Sequence, residues 1–189
     1  MEIEQKKFST KHTFTFQDQF LNFAVVKRSG SFDIDVPYGN IPKKCSIQLE
    51  ENTQVRNAGY IWCVLGTVGS FVFNGSWAIW LLIGLGCLLW VYLTRINYTV
   101  FETDRGSIWV MHDSQHAQIL NELSTRRKRQ LRELLGEINV DNDLQNEISK
   151  YVWLEEQEVI SKEEADSKIA QVQLLHRQST EDADDDLLN

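Results

Sequence analysis

The feature that most constrains this chain is a 37-residue stretch, Ala58 to Thr94, without one charged side chain. It reads AGYIWCVLGTVGSFVF, then NGS, then WAIWLLIGLGCLLWVYLT. As a single helix it would be about 55 Å long at 1.5 Å per residue, well beyond a hydrocarbon core of about 30 Å. Asn74-Gly75-Ser76 lies at its centre, and Asn-Gly is a strong turn signal. Splitting there predicts two transmembrane helices, 58–73 and 77–94, joined by a tight turn. The other reading is a core hairpin, but a domain this small can hardly cover two uncharged helices on every side.

The aromatic residues fit that expectation. Tyr60 and Trp62 open the first helix, Trp90 and Tyr92 close the second, and Trp77 and Trp80 flank the turn, as belts at two membrane interfaces would require. Lys43, Lys44, Arg56, Arg95 and Arg105 stand at the outer ends and no charge at the turn, so the positive-inside rule places both termini in the cytoplasm. The opening MEIEQKKFST lacks the apolar run of a secretion signal, and none is expected. The localisation implied is an integral membrane protein, in a bacterium the inner membrane. Gly66, Gly69, Ser70, Gly84 and Gly86 supply small faces for helix packing, Gly66 and Ser70 as a small-xxx-small pair. Packing of the two helices on each other is favoured over self-association between copies. Cys63 and Cys87 read as small apolar residues rather than a redox pair.

The 189 residues sum to a net charge of −8, but the acidity is local. Residues 1–57 are net +1, residues 95–136 net +2, residues 137–178 net −6 and residues 179–189 net −5. Outside the uncharged tract, alternation predicts strands at 12–16, 20–26, 31–36, 45–49, 96–102 and 107–111, with turns at Lys27-Arg28-Ser29-Gly30 and Asp104-Arg105-Gly106. Leucines at helical spacing predict an amphipathic helix from a Ser114 cap to Gly136. The simplest assembly is one antiparallel sheet built from both halves, closed by that helix and interrupted by the membrane hairpin. Asp141 can cap a further helix to about Glu156, with Leu144, Ile148, Tyr151 and Val152 on one face. Ser161 and Glu164 form a capping box for another, which directs Ala165, Ile169 and Val172 inward.

Two resemblances follow from these residues. The order of strands, then YTVFETDRGSIWVM, then QILNELSTRRKRQLREL resembles bacterial pleckstrin-homology-like domains over about residues 10–135. That implies a partly open barrel used for docking or oligomerisation. The stretch YVWLEEQEVISKEEADSKIAQVQLL is similar to the SHOCT (short C-terminal domain) family, through Leu154, Val159, Ile160, Ser161, Glu163, Glu164 and Lys168. It departs from that pattern at Glu158, where the family has glycine, and at Ala165, where it has an aromatic residue. The resemblance implies a small interaction hairpin, often attached to membrane proteins. The fold class expected is thus an α+β membrane protein, with a PH-like module at 1–57 and 95–136, a transmembrane hairpin at 58–94, a helical hairpin at 137–178 and an acidic tail at 179–189.

Chemistry-bearing constellations are sparse. No serine elbow, phosphate-cradling glycine loop or HExxH occurs. His112 and His116 are four apart, but Asp113 is the single adjacent carboxylate, thin for a metal site. No catalytic residue, cofactor or metal is expected. Arg126, Arg127, Lys128, Arg129 and Arg132 form the densest basic patch. It pairs with the acidic C-terminal hairpin or touches anionic headgroups. Nucleic acid is not expected, because the chain is acidic and the patch lacks interleaved aromatics. The function expected is a membrane-anchored, non-enzymatic adaptor or scaffold, with the bilayer and either a protein partner or further copies of itself as partners. The alternative is a homo-oligomeric pore or membrane-perturbing effector.

Overall fold

A computed structural model describes residues 1–27, 30–72, 77–139 and 142–187, the last nine of these by backbone alone. Two expected turns, at Arg28-Ser29 and Asn74-Gly75-Ser76, and the expected Asp141 cap lie outside the described residues. Among the described residues the fold is α+β, with two antiparallel sheets and five α-helices.

The first sheet is a four-stranded meander. Its strands β1 (Glu2–Lys7), β2 (Thr10–Phe16), β3 (Phe20–Lys27) and β4 (Gly30–Pro37) pair in sequence order. Phe14 faces Phe23 across β2 and β3, with ring centroids 5.0 Å apart, and alternation buries Phe16, Leu21 and Val25 with them. The strand β1 is not evident in the sequence, because its inward residues are Ile3 and a buried Gln5. Pro37 ends β4 and a 3-10 turn at Tyr38–Asn40 redirects the chain. The second sheet has the order β5 (Ser46–Glu50), β6 (Ile96–Thr103), β7 (Gly106–Met111). The expectation of one continuous sheet is thereby corrected: β5 takes β6 as its partner, with Ser46 opposite Val100, and is not a continuation of the meander. Alternation specifies which face of a strand is inward, not which strand it pairs with.

Between β5 and β6 run α1 (Thr53–Val72) and α2 (Ala78–Thr94). They correct the membrane reading. Among the described residues no helix is long and apolar enough to cross a membrane. The helix α2 has 17 residues, about 26 Å at 1.5 Å per residue, against a hydrocarbon core of about 30 Å. The helix α1 has 20, but its first turn, TQVRN, is polar and carries Arg56, bonded to Glu51. Its apolar remainder, 58–72, is about 22 Å long. The transmembrane hairpin, the fold class of an α+β membrane protein, the inner-membrane localisation and the topology with two cytoplasmic termini all rested on those spans and are not supported.

After β7 come α3 (His116–Leu135), α4 (Leu144–Glu156) and α5 (Lys162–Leu187). The cap of α4 is Asp143, whose carboxylate accepts from the Gln145 N–H at 3.1 Å. At the other end of α4, Val159 N donates to Leu154 O at 3.0 Å and Glu158 N to Glu155 O at 2.7 Å. That is a Schellman ending, and it places Glu158 at φ 57°, a conformation glycine adopts at no steric cost. The Ser161 hydroxyl then caps α5 by accepting from Glu164 N at 3.2 Å. Leu131, Tyr151, Leu154, Val159, Ile160, Ala165 and Val172 form the core that joins α3 to the α4–α5 pair.

The chain divides into two compact units. One comprises residues 1–44, 101–108 and 117–189, and the other residues 45–100 and 109–116.

Candidate functional site

In the second unit, α1 and α2 pack through glycine. A Cβ on Gly66 would lie 2.3 Å from Leu81 N, and one on Gly84 2.6 Å from Cys63 N, so the two backbones approach where no side chain fits. Gly69 lies under the Trp77 indole and Gly59 under Leu88. Ser70 turns inward on its own helix, donating to Gly66 O at 2.6 Å. Gly86 is exposed with nothing near it, so it takes no part in the packing. Cys63 and Cys87 are free thiols that lie along the same seam.

Filling the seam with glycine leaves the large side chains outside. Of 26 exposed large hydrophobic residues among those described, 16 fall between Tyr60 and Leu93. They include Phe71 at 85%, Leu82 at 67% and Trp90 at 63%. Trp62 and Trp80, expected at opposite ends of the hairpin, stack on each other with centroids 4.7 Å apart. Tyr60, Trp77, Trp90 and Tyr92 are exposed, and Tyr92 carries the Arg95 guanidinium at 4.1 Å from its ring. The interface role expected of these six aromatics depended on the spans and goes with them.

The same unit holds the two histidines. His112 and His116 have ring centroids 4.2 Å apart, and their Nε2 atoms reach Thr99 Oγ1 at 2.8 and 2.9 Å. One hydroxyl proton can serve only one ring nitrogen, so the other ring donates to Thr99. Burial first, then the neighbouring His112, pushes the His116 pKa down. Among the described residues no group of three or more His, Cys, Asp or Glu side chains could hold a metal ion.

In the first unit the basic run on α3 is engaged side chain by side chain. Arg126 donates to Gln17 O at 2.9 Å and pairs with Glu122 at 3.2 Å. Arg129 reaches Asp18 O at 3.3 Å. Lys128 and Arg132 pair with Glu158 and Glu164 of the C-terminal segment at 3.8 and 2.6 Å. Arg127 differs from these: it is 7% exposed, and burial pushes its pKa down. Its guanidinium donates to Ile41 O at 2.7 Å, to Gln157 O at 3.5 Å and to the Gln157 side-chain oxygen. All three acceptors are neutral.

Arg127 lines a pocket of about 600 Å³ with Ile41, Lys43, Lys44, Trp153 and Gln157. Lys43 donates to Glu156 O at 2.9 Å and pairs with Glu158 at 2.9 Å, which holds the Glu158 carboxyl below the usual range. Sequence reasoning found Arg127 but not this pocket, whose walls come from three separate stretches of the chain, 39–44, 127 and 153–157. The one available signal was Trp153, an aromatic residue lying off the inward face of an otherwise regular amphipathic helix.

No family model matches the sequence, and no curated protein or solved structure matches it, so a functional reading of the chain rests on the residues themselves.

Proposed function

We propose that this chain is a non-enzymatic scaffold that assembles with further copies of itself through the outer faces of the α1–α2 hairpin. The observation that carries the reading is the outward placement of large apolar residues around a seam of glycines. Sixteen such side chains, at on the order of 100 Å² exposed each, amount to roughly 1,600 Å², where the largest patch on a typical monomer is about 300–600 Å². A standard interface takes about 800 Å² from each partner. The hairpin therefore offers enough for a neighbour on each side. Its apolar tract carries no charge of either sign, so nothing on it selects a charged partner, and an identical copy presents an identical surface.

Sedimentation of the full chain in detergent-free buffer tests the reading. We expect a dimer or larger species that becomes monomeric in a Val68→Asp, Leu85→Asp double variant. A wild-type chain that stays dispersed as a monomer would overturn it. So would a chain that stays in solution only with detergent or lipid, since something other than a second copy would then cover the hairpin.

A further inference from the structure

The Arg127 pocket presents an imbalance of charge. Arg127 is buried, and its guanidinium is held by two backbone carbonyls and one amide oxygen, with no carboxylate among those acceptors. Taking a cation out of water is costly unless a charge answers it. Lys43 is paired already, whereas Lys44, at the exposed rim, has no ion pair or hydrogen bond among the described residues. Three cations thus line the pocket with one carboxylate, Glu156, and with Lys43 answered from outside the lining by Glu158. Trp153, 40% exposed, adds an indole beside them. The complement to such a site is a cluster of carboxylates followed by an apolar group.

The chain contains that complement. Its last eleven residues, STEDADDDLLN, hold five acidic groups, no basic ones and a Leu-Leu pair. Their position decides whether the contact is within one chain or between two. Gln157 and Lys162 are five residues apart, so the pocket sits at the N-terminal end of α5. The helix α5 is 26 residues long, about 39 Å, and carries Asp184, Asp185 and Asp186 at its other end. A chain folded this way does not bring its own acidic end to its own pocket.

We propose that the pocket is the receptor for the acidic C-terminal segment of a second copy, with Asp184–Asp186 answering Lys44 and Arg127 and the Leu187-Leu188 pair lying against Trp153. Such a contact joins two different surfaces, so it closes when two copies exchange tails or a ring completes, and otherwise propagates head to tail. It is separate from the α1–α2 face and does not rest on it.

Carbodiimide cross-linking of the full chain, in an equal mixture of ¹⁴N- and ¹⁵N-labelled protein, tests this directly. Mass spectrometry should find an amide between Lys44 and one of Asp184, Asp185 or Asp186, with mixed-isotope species as abundant as the two single-isotope species together. A Trp153→Ala variant, which keeps both cross-linking groups, should lower the yield about tenfold, as should 0.5 M salt. Single-isotope products alone would mean that the tail reaches its own pocket, and would overturn the proposal. So would a missing cross-link, or one indifferent to Trp153→Ala. The same experiment on the Val68→Asp, Leu85→Asp variant separates this contact from the hairpin: the mixed-isotope product should persist in a chain that no longer associates through α1 and α2.

Discussion

The α4–α5 pair and the α1–α2 pair are both helical hairpins, and they dispose of their apolar side chains in opposite directions. In α4–α5, Tyr151, Leu154, Ala165 and Val172 point inward and meet Leu131 of α3, while the charged residues, the buried Glu147 and its partner Lys150 apart, lie toward the surface. In α1–α2 the inward positions are Gly59, Gly66, Gly69 and Gly84, and Leu82, Leu85, Phe71 and Trp90 face out. The first arrangement stabilises by removing large side chains from water. The second gains close backbone contact and little apolar burial, and so leaves its hydrophobic surface to be covered by something else. One hairpin completes a core. The other is built as a surface.

The largest expected effect falls on the filled hairpin. Leu154 is fully buried, and Leu154→Ala should lower unfolding stability by about 2–5 kcal/mol in a urea titration, the usual cost of a cavity of that size. Leu82→Ala, on the outer face of α2, should leave the unfolding midpoint nearly unchanged and weaken self-association instead. If Leu82→Ala costs as much as Leu154→Ala, the two hairpins do not differ as described.

Next come the glycines. Gly66→Ala puts a methyl group 2.3 Å from Leu81 N, and the helices must separate to admit it, at a cost of about 1–3 kcal/mol. Gly86→Ala has open space and should gain about 0.5–1 kcal/mol from helix propensity alone. Opposite signs from the same substitution, twenty residues apart on the two helices, would show that the seam is set by backbone approach. Equal signs would show that it is not.

How much of this was legible in sequence follows from the same contrast. The pattern of α4–α5 is written in side chains of 3.6-residue period, so the inward positions of Tyr151, Ala165 and Val172 and the Ser161 cap are readable directly, whereas Val152, expected beside Tyr151, is exposed and the cap of α4 is Asp143 rather than Asp141. The strands β2, β3, β4, β6 and β7 are readable for the related reason that alternation exposes a period of two. Partition into two sheets is not, because register and partner depend on the 3-10 turn at 38–40 and on β5 meeting β6 across a 45-residue separation. The uncharged tract misled for a physical reason: the absence of charge reports apolarity but not helix length, and of its two described helices α2 has only 17 residues while α1 spends its first turn on polar ones. The Arg127 pocket needs residues 39–44 and 153–157 to meet, which no local pattern announces.

A smaller effect concerns acid. Glu147 on α4 is fully buried, beside Lys150 at 2.6 Å and accepting from Asn142 at 2.8 Å. Burial raises its pKa, but the Lys150 and Asn142 hydrogen bonds and the Lys150 charge outweigh it, and the carboxyl sits below its ordinary value. A depressed carboxylate contributes stability that is present above the unfolded pKa, about 4.3, and is lost as pH falls through the folded one. Stability of the first unit should therefore decline as pH drops below about 4.3, with a shallower decline in Glu147→Gln. The second unit reports separately through His116, whose lowered pKa removes stability as pH falls below about 6.5. Hydrogen exchange read at α1–α2 and at α4–α5 should show the former responding first on acidification.

The smallest effect is at Glu158, where two terms of opposite sign meet. Its φ of 57° is strained for any residue with a Cβ, so Glu158→Gly relieves the backbone. The same change removes the pairs to Lys43 and Lys128. Salt screens the pairs and leaves the backbone term untouched. Glu158→Gly should thus gain more stability over wild type in 1 M salt than in 50 mM salt, while Glu158→Ala, which keeps the strain, should be destabilised at low salt and converge on wild type at high salt. A Glu158→Gly gain that shrinks with salt would mean that the left-handed turn is not what glycine relieves there, and the Schellman ending of α4 would need another account.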